Sequence, residues 1–199
     1  MTKKKTDVFK IEDGGTITYK KNFMTKKEAD DMFIELKEKV PWTQGVYKMF
    51  GKSVKTPRML YAMRDKDLDI SKSYSVTGSM EWLPSVELLK KRVEKATGKP
   101  ITYCQLNYYR DGNDYIGYHT DSEIADGDII ASISLGATRK FVLRHKEYKT
   151  KPDIKKYNFN LENGSLFIMN DNAGKHYWKH ALLKMKNVGP RINITFRNK

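Results

Sequence analysis

The sequence predicts a mainly β protein of the α+β class with flanking helices, and two observations lead to this prediction. The first hundred residues hold two helix signals, and the chain from Ile101 onward consists of short β-type runs between turn signals. Several short strands at this spacing are typical of a barrel or sandwich. Because the 199 residues contain no linker, repeat or low-complexity tract, we expect one domain over 1–199. Its β core would lie at about 101–199 and an N-terminal extension at about 1–100.

The helix signals lie in the segments TKKEADDMFIELKEKVP and PSVELLKKRVEKATGKP. In the first, Thr25 and Glu28 form a capping box, and Pro41 ends the helix. The second opens with Pro84 and closes at Gly98. Each segment carries an apolar stripe that we interpret as a core contact. The stripes are Ala29, Met32, Phe33 and Leu36, and Val86, Leu89, Val93 and Ala96.

Positive charge is concentrated in three runs of a chain whose formal net charge is +14. Residues 139–156 hold eight Lys or Arg against two acids, residues 175–199 hold seven against none, and residues 48–66 hold six against one. Such blocks are typical of a polyanion-binding surface, and a merely solvated basic surface is the alternative. The expected nucleic-acid contacts from these runs are Arg58, Arg144, Lys146, Lys184 and Lys186.

Other features of the composition limit the class of protein. Cys104 is the only cysteine, which excludes an intrachain disulfide framework and favours an intracellular location, in nucleus or cytoplasm. No apolar run approaches 18 residues and no charged-then-apolar leader opens the chain, so we expect neither a membrane span nor a signal peptide. We expect a monomer.

Acidic residues gather around one of the four histidines. Six of the 18 residues at 111–128 are acidic, and none is Lys or Arg. His119 and Asp121 point to the same side of an extended chain, as two metal ligands would. The remaining histidines are His145, His176 and His180. His180 is favoured as the third ligand, because it opens a β-type run from which a side chain can reach across a barrel. Two His and one carboxylate suit a non-haem ferrous ion, and a zinc hydrolase or cupin-like protein is the alternative.

Two β-type runs carry a polar face. In RINITFR, the apolar residues Ile192, Ile194 and Phe196 alternate with Arg191, Asn193, Thr195 and Arg197. Two guanidinium groups on one strand face make a good receptor for carboxylates. The run TYCQLNYY likewise places Tyr103, Gln105, Asn107 and Tyr109 on one face. Polar groups on the inner faces of barrel strands indicate a ligand inside.

Five blocks of sequence carry a family resemblance. The segments NYYRDGNDYIGYHTDSE, IASISLGATRKFVLRHK, GSLFIMN, WKHALL and PRINITFR occur in the order and spacing of the AlkB-type iron(II)/2-oxoglutarate dioxygenases, which oxidatively demethylate alkylated nucleobases. The resemblance covers roughly residues 41–199, and FGKSVKTPR and YSVTG resemble the branch that acts on double-stranded DNA. It implies a double-stranded β-helix (jelly roll) core and a nucleotide-recognition lid in the N-terminal extension.

The resemblance also implies roles for individual residues. His119, Asp121 and His180 would be the iron ligands. Arg191 would bind the distal carboxylate of 2-oxoglutarate. The same co-substrate would be lined by Asn107, Tyr109, Asn193 and Arg197, with Thr195 in support. Glu123 would read the exocyclic amine of the damaged base.

The implied reaction uses Fe(II), 2-oxoglutarate and O2 to hydroxylate an N-methyl group of bases such as 1-methyladenine and 3-methylcytosine in DNA. Its products are formaldehyde, succinate and CO2. A base inside a duplex must first leave the stack. The same chemistry on RNA or protein is one alternative, and a non-catalytic nucleic-acid-binding module is another.

One residue departs from the family pattern. In YSVTG, Val76 stands where the duplex-acting relatives carry an aromatic residue that stacks on the flipped base. Tyr74 or Trp82 could substitute for it, although we interpret both as core residues. The departure bears on base preference and flipping, and it leaves the iron chemistry unaffected.

Phe50 generates a testable prediction. It lies beside Gly51 among Lys48, Lys52 and Lys55, where the duplex-acting relatives carry an aromatic finger. A large apolar side chain among cations can fill the gap left by a flipped base. We therefore expect Phe50→Ala to slow formaldehyde release from duplex DNA much more than from single strands. Equal losses on both substrates, with a lower melting temperature, would make Phe50 a core residue instead.

Overall fold

The computed structural model describes residues 6–49, 51–68, 78–121, 127–151, 153–174 and 176–198. Within these ranges the chain forms two α-helices and fourteen β-strands. Four candidates for contact with the damaged base or the duplex lie outside the described residues: Phe50, Tyr74, Val76 and Glu123. Their assignments stay predictions.

Both helices form where the sequence predicts them. Helix α1 spans Lys26–Lys39, and the predicted capping box between Thr25 and Glu28 is present. Helix α2 spans Pro84–Thr97 and ends at Gly98, whose φ of 69° is the left-handed conformation that glycine adopts at little cost. The apolar stripes are largely buried, at Ala29, Met32, Leu36, Val86, Leu89 and Val93. Neither of these described helices is long and apolar enough to cross a bilayer.

The strands follow the predicted β-type runs closely from residue 101 onward. In chain order they are β1 (Thr6–Ile11), β2 (Gly15–Lys20), β3 (Val46–Met49), β4 (Lys52–Lys55), β5 (Met59–Arg64), β6 (Ser79–Met80), β7 (Tyr103–Tyr109), β8 (Ile116–His119), β9 (Ile130–Gly136), β10 (Arg139–His145), β11 (Tyr157–Leu161), β12 (Ser165–Asp171), β13 (Trp178–Leu182) and β14 (Arg191–Arg197).

Two sheets make up the core. The larger has the order β1-β2-β12-β9-β14-β7-β5-β6 and the smaller the order β11-β10-β13-β8, while β3 and β4 form a separate hairpin. All pairings are antiparallel except that of β5 with β6. Side chains from both sheets line one cleft, the arrangement of a jelly roll. Strands β1, β2, β5 and β6 come from the first hundred residues, so the N-terminal extension is built into the larger sheet.

Strand β14 fixes the geometry of this cleft. It pairs with β9 on one side and β7 on the other, and all seven of its residues are buried. Its apolar residues Ile192, Ile194 and Phe196 belong to the cluster that packs against α1 and α2. The alternate residues therefore face the cleft. Their partners on β7 are the polar residues predicted to share a face: Arg191 pairs with Tyr109, Asn193 with Asn107, Thr195 with Gln105, and Arg197 with Tyr103.

The apolar side chains on the helix-facing side of β14 are expected to contribute strongly to the free energy of unfolding. Ile194 is fully buried, and Ile194→Ala should lower the free energy of unfolding by about 2–5 kcal/mol, because it removes apolar burial and leaves a cavity. Ile34, which is 54% exposed on α1, provides the control, since Ile34→Ala should change stability by less than about 0.5 kcal/mol. Urea denaturation measures both variants. Equal losses would contradict the assignment of Ile194 to the core.

Candidate active site

Three predicted metal ligands meet at the small sheet. His119 ends β8 and His180 lies in the adjacent strand β13, as its register partner. Their rings are 4.3 Å apart between centroids. Asp121 follows β8, and its backbone N–H donates to the carbonyl of Gly174 at 3.0 Å. One ligand atom from each of the three side chains lies within 4.8 Å of the others, and no second such group occurs in the part of the chain that the structure describes. His145 and His176, the other candidates, lie outside this group.

Hydrogen bonds orient the triad for metal binding. Nδ1 of His119 lies 2.9 Å from the carbonyl oxygen of Gly117, so this nitrogen donates and Nε2 is left to coordinate. Nε2 of His180 lies 3.3 Å from Oδ2 of Asp121. Nε2 of His119 lies 3.8 Å from Oδ1 of the same carboxylate. The coordinating atoms therefore point toward a common centre.

The protonation states also suit a cation. Burial, and then the neighbouring His180, lower the pKa of His119 to about 4, so its imidazole is neutral at pH 7. Burial alone would raise the pKa of Asp121, but Arg197 and His180 outweigh it and lower that pKa. Arg197 approaches the carboxylate at 3.2 Å. A neutral imidazole and an ionised carboxylate are the forms that coordinate metals, so this donor set fits Fe(II).

The opposite wall of the cleft carries the residues predicted to bind 2-oxoglutarate. The cleft encloses about 910 Å³ including its mouth. The triad lines it together with all six predicted co-substrate residues, which are Asn107, Tyr109, Arg191, Asn193, Thr195 and Arg197. The strand register brings these side chains together from β7 and β14.

Arg191 provides the clearest sign that an anion binds in this cleft. Its side chain is 2% exposed, and its guanidinium lies 5.4 Å from the centre of the Tyr109 ring. It donates to Oγ of Ser134 at 2.8 Å, while its Nε has no hydrogen-bond partner. It forms no ion pair with a carboxylate of a described residue. Burial lowers the pKa of Arg191 to about 10, so the group stays charged at pH 7. A buried cation without a counter-ion is costly, and a carboxylate ligand would remove that cost.

A hydrogen-bond network holds the neighbouring polar residues. Thr195 donates to Oδ1 of Asn193 at 2.9 Å, and the amide of Asn193 donates to Oγ of Ser132. Nε of Arg58 donates to Oδ1 of Asn107 at 2.8 Å. Arg58, predicted to contact nucleic acid, thus lines the cleft and is 9% exposed.

Sequence reasoning missed the two serines on β9 that support the co-substrate residues. Ser132 accepts from Asn193 and Ser134 accepts from Arg191. Their two-residue spacing in the run IIASISLG places both on one strand face, and this signal could have identified them.

The remaining predicted nucleic-acid contacts lie outside the cleft. The guanidinium of Arg144 lies between two aromatic rings, 3.8 Å from the centre of Tyr118 and 4.1 Å from that of Tyr148. Lys184 lies over the ring of Tyr115 at 5.1 Å. Lys146, Lys184 and Lys186 are exposed. The three lysines are therefore accessible to a polyanion, whereas Arg144 is half-buried against the two rings.

Trp82 is partly buried and packs against the core cluster between the helices and the larger sheet. Its indole N–H donates to Oδ1 of Asp65 at 2.6 Å, and its ring stacks on Phe196 with centroids 6.3 Å apart. Phe196 points away from the cleft toward the helices. The indole is therefore engaged on the helical side of the larger sheet.

Comparison with known proteins identifies the family. The model of the 2OG-Fe(II) oxygenase superfamily matches residues 16–197. The chain belongs to this superfamily. Human DNA oxidative demethylase ALKBH2 is 36% identical to this oxygenase over 181 residues, which cover 86% of the chain and 69% of the human protein. Bovine DNA oxidative demethylase ALKBH2 is also 36% identical over 181 residues, covering 86% of the chain and 65% of the bovine protein. The predictions of an AlkB-type protein and of a dioxygenase are thereby confirmed.

A solved structure supports the fold of this oxygenase. The structure of OsALKBH1 superposes with a TM-score of 0.66 at 17% identity, covering 92% of this chain and 97% of that one. At this identity the likeness concerns the fold alone. Together with the family match, it confirms the predicted mainly β fold with a jelly-roll core.

The triad geometry predicts the behaviour of a ligand variant. We expect His119→Ala to abolish binding of Mn(II), a redox-inert substitute for Fe(II), because two ligands remain where three are needed. Titration calorimetry measures this binding, and the melting temperature of the metal-free protein should change little. His176→Ala is the control, since His176 is exposed and lies outside the triad. Wild-type Mn(II) affinity in His119→Ala would rule His119 out as a ligand.

Proposed function

We propose that this oxygenase demethylates N-alkylated bases such as 1-methyladenine and 3-methylcytosine in DNA, using Fe(II), 2-oxoglutarate and O2 and releasing formaldehyde, succinate and CO2. One observation carries the proposal. A His-Asp-His triad with a common centre lines the same cleft as a buried arginine that has no carboxylate partner among the described residues. The triad suits a ferrous ion, and the arginine suits a co-substrate with a distal carboxylate.

The chain's own residues bind and orient the reactants. Arg191 would pair with the distal carboxylate, beside the ring of Tyr109. Asn193 and Thr195 are held by their hydrogen bonds to each other and to Ser132, so they present fixed dipoles to the bound keto acid. Arg197 holds the carboxylate of Asp121 ionised and oriented toward the metal. When bound, Fe(II) supplies the reactivity toward O2 that couples decarboxylation of the keto acid to hydroxylation of the N-methyl group.

Nucleic acid is the proposed substrate for two reasons. The ALKBH2 relatives are named as DNA oxidative demethylases. The exposed cations Lys146, Lys184 and Lys186, together with Arg144, supply positive charge outside the cleft that can contact phosphates. Glu123 and Phe50 retain their proposed roles as base reader and duplex wedge.

Formaldehyde release tests the proposal. Matched oligonucleotides carrying 1-methyladenine or 3-methylcytosine would be supplied as single-stranded DNA, duplex DNA and RNA, each with Fe(II) and 2-oxoglutarate. We expect release from DNA that stops when either 2-oxoglutarate or Fe(II) is omitted. Release from RNA alone would change the substrate class. Turnover that is independent of 2-oxoglutarate would reject the dioxygenase mechanism.

Arg191 and Arg144 should separate co-substrate binding from nucleic-acid binding. We expect Arg191→Ala to raise the 2-oxoglutarate concentration for half-maximal turnover about 10- to 100-fold, because a charge-assisted contact contributes about 1.5–3 kcal/mol. Its oligonucleotide requirement should stay nearly constant. Arg144→Ala is the matched control and should weaken oligonucleotide binding alone. An unchanged 2-oxoglutarate requirement in Arg191→Ala would transfer the role to Arg197.

A further inference from the structure

Arg139 is a second buried arginine close to the co-substrate site. It begins β10 in the smaller sheet and is completely buried, although the sequence places it in a basic run interpreted as surface. Its guanidinium donates to three backbone carbonyls, those of Asp111 at 3.1 Å, Asp114 at 2.9 Å and Leu183 at 2.7 Å. It does not line the cleft itself. These contacts fasten the loop after β7 to the segment that follows β13.

The ring of Tyr109 lies close to both buried arginines. The guanidinium carbon of Arg139 is 5.7 Å from the ring centre and that of Arg191 is 5.4 Å from it. Tyr109 and Arg191 are register partners in the larger sheet. Arg139 belongs to the smaller sheet and approaches the same tyrosine ring from there. The positively charged guanidinium groups of Arg139 and Arg191 therefore both lie close to the ring of Tyr109 in the protein interior.

Neither arginine has an ion-pair partner in the described part of the chain. Arg139 and Arg191 each lack an ion pair with a described carboxylate, and Nε of each has no hydrogen-bond partner. Asp114, a buried acid of the adjoining loop, forms its ion pair with Arg110. Its charge and that of Asp111 therefore favour the charged form of Arg139 only from a distance. Burial lowers the pKa of Arg139, and the charge of Arg139 adds to the effect of burial on the pKa of Arg191. Burial of the two charges is costly, and an anion bound near Tyr109 would reduce this cost.

We propose that Arg139 is a positioning residue of the co-substrate site, whose charge strengthens binding of the distal carboxylate of 2-oxoglutarate from behind Tyr109. The inference rests on the proposed function, because it requires that carboxylate to lie at Arg191. Where water is excluded, two charges on either side of an aromatic ring interact more strongly than they would at the same separation in water. The carbonyl contacts of Arg139 hold its guanidinium in place, so the charge acts from a fixed position.

Substitutions can separate this charge from the structural role of Arg139. Arg139→Lys keeps the positive charge but cannot reproduce three carbonyl contacts from a planar group. Arg139→Gln removes the charge and retains polar contacts. If the glutamine variant does not fold, Arg139→Met, which has a flexible uncharged side chain, replaces it. Arg110→Gln is the matched control, because Arg110 is an exposed residue of the same loop that pairs with the buried Asp114.

The test compares two keto acids in the presence of Mn(II) and absence of O2, by titration calorimetry. One is 2-oxoglutarate, and the other is 2-oxopentanoate, which has the same chain length but lacks the distal carboxylate. We expect Arg139→Gln to raise the Kd of 2-oxoglutarate about tenfold while changing that of 2-oxopentanoate less than about twofold, because only the former interacts with the charge. Arg139→Lys should lower the melting temperature yet keep the Kd of 2-oxoglutarate within about threefold of wild type.

Other outcomes would overturn the inference. Equal weakening of both keto acids, or equal weakening by Lys and Gln, would reduce Arg139 to a structural clamp. A similar effect of Arg110→Gln would assign the loss to the loop. At saturating 2-oxoglutarate, the turnover of Arg139→Gln should equal that of wild type, so a lower kcat would also contradict the proposal. Failure of the wild-type protein to bind 2-oxoglutarate would reject the proposed function itself, and this result is distinct from the others.

Discussion

The position of β14 between β7 and β9 is the constraint on which the rest of the site depends. Both faces of the strand are buried, and the two faces have opposite character. Burial of an aliphatic side chain contributes about 1.5–3 kcal/mol, so Ile192, Ile194 and Phe196 hold one face against the helices. The alternation of the strand then forces Arg191 and Arg197 into the cleft. Removing these guanidinium groups from water is costly. The burial of the apolar face offsets this cost, because it holds β14 in register with β7 and β9.

The distribution of charge explains why the cleft is suited to an anionic ligand. Arg58, Arg191 and Arg197 line the cleft and Arg139 lies behind it, whereas Asp121 is the acid that lines it among the described residues. A divalent cation at the triad would add to this positive charge. A dicarboxylate would reduce it, so its binding should stabilise the folded protein as well as supply the reaction. The two ligands are therefore expected to favour each other's binding at this site.

The sequence predicted the helices and the polar strand faces well, but it did not predict several side-chain contacts between strands that are distant in sequence. Period-two alternation identified the polar faces of β7 and β14, and capping signals located α1 and α2, because these patterns depend on neighbours within a few residues. The spacing of His119 and Asp121 also indicated a metal site, and His180 joins them as its register partner. Charge counting misplaced Arg139, since a basic run does not reveal which cation turns inward. The burial of Arg58 and the support from Ser132 and Ser134 depend on contacts between strands distant in sequence.

The metal site and the predicted co-substrate site lie on different sheets, so contacts between the sheets determine how the two sites are positioned relative to each other. His119 and His180 lie on strands of the smaller sheet, whereas the predicted co-substrate residues lie on β7 and β14 of the larger one. The pair of Arg197 with Asp121, at 3.2 Å, joins the two walls directly. Arg139, the first residue of β10, connects the walls at the other end, because its guanidinium lies close to the ring of Tyr109 on β7. A metal-chelating keto acid would span the gap between these two links, so its correct placement requires the sheets to keep a fixed separation. The Arg197–Asp121 pair and the contacts of Arg139 connect the two walls on either side of the cleft, and the space between these contacts is open to a ligand.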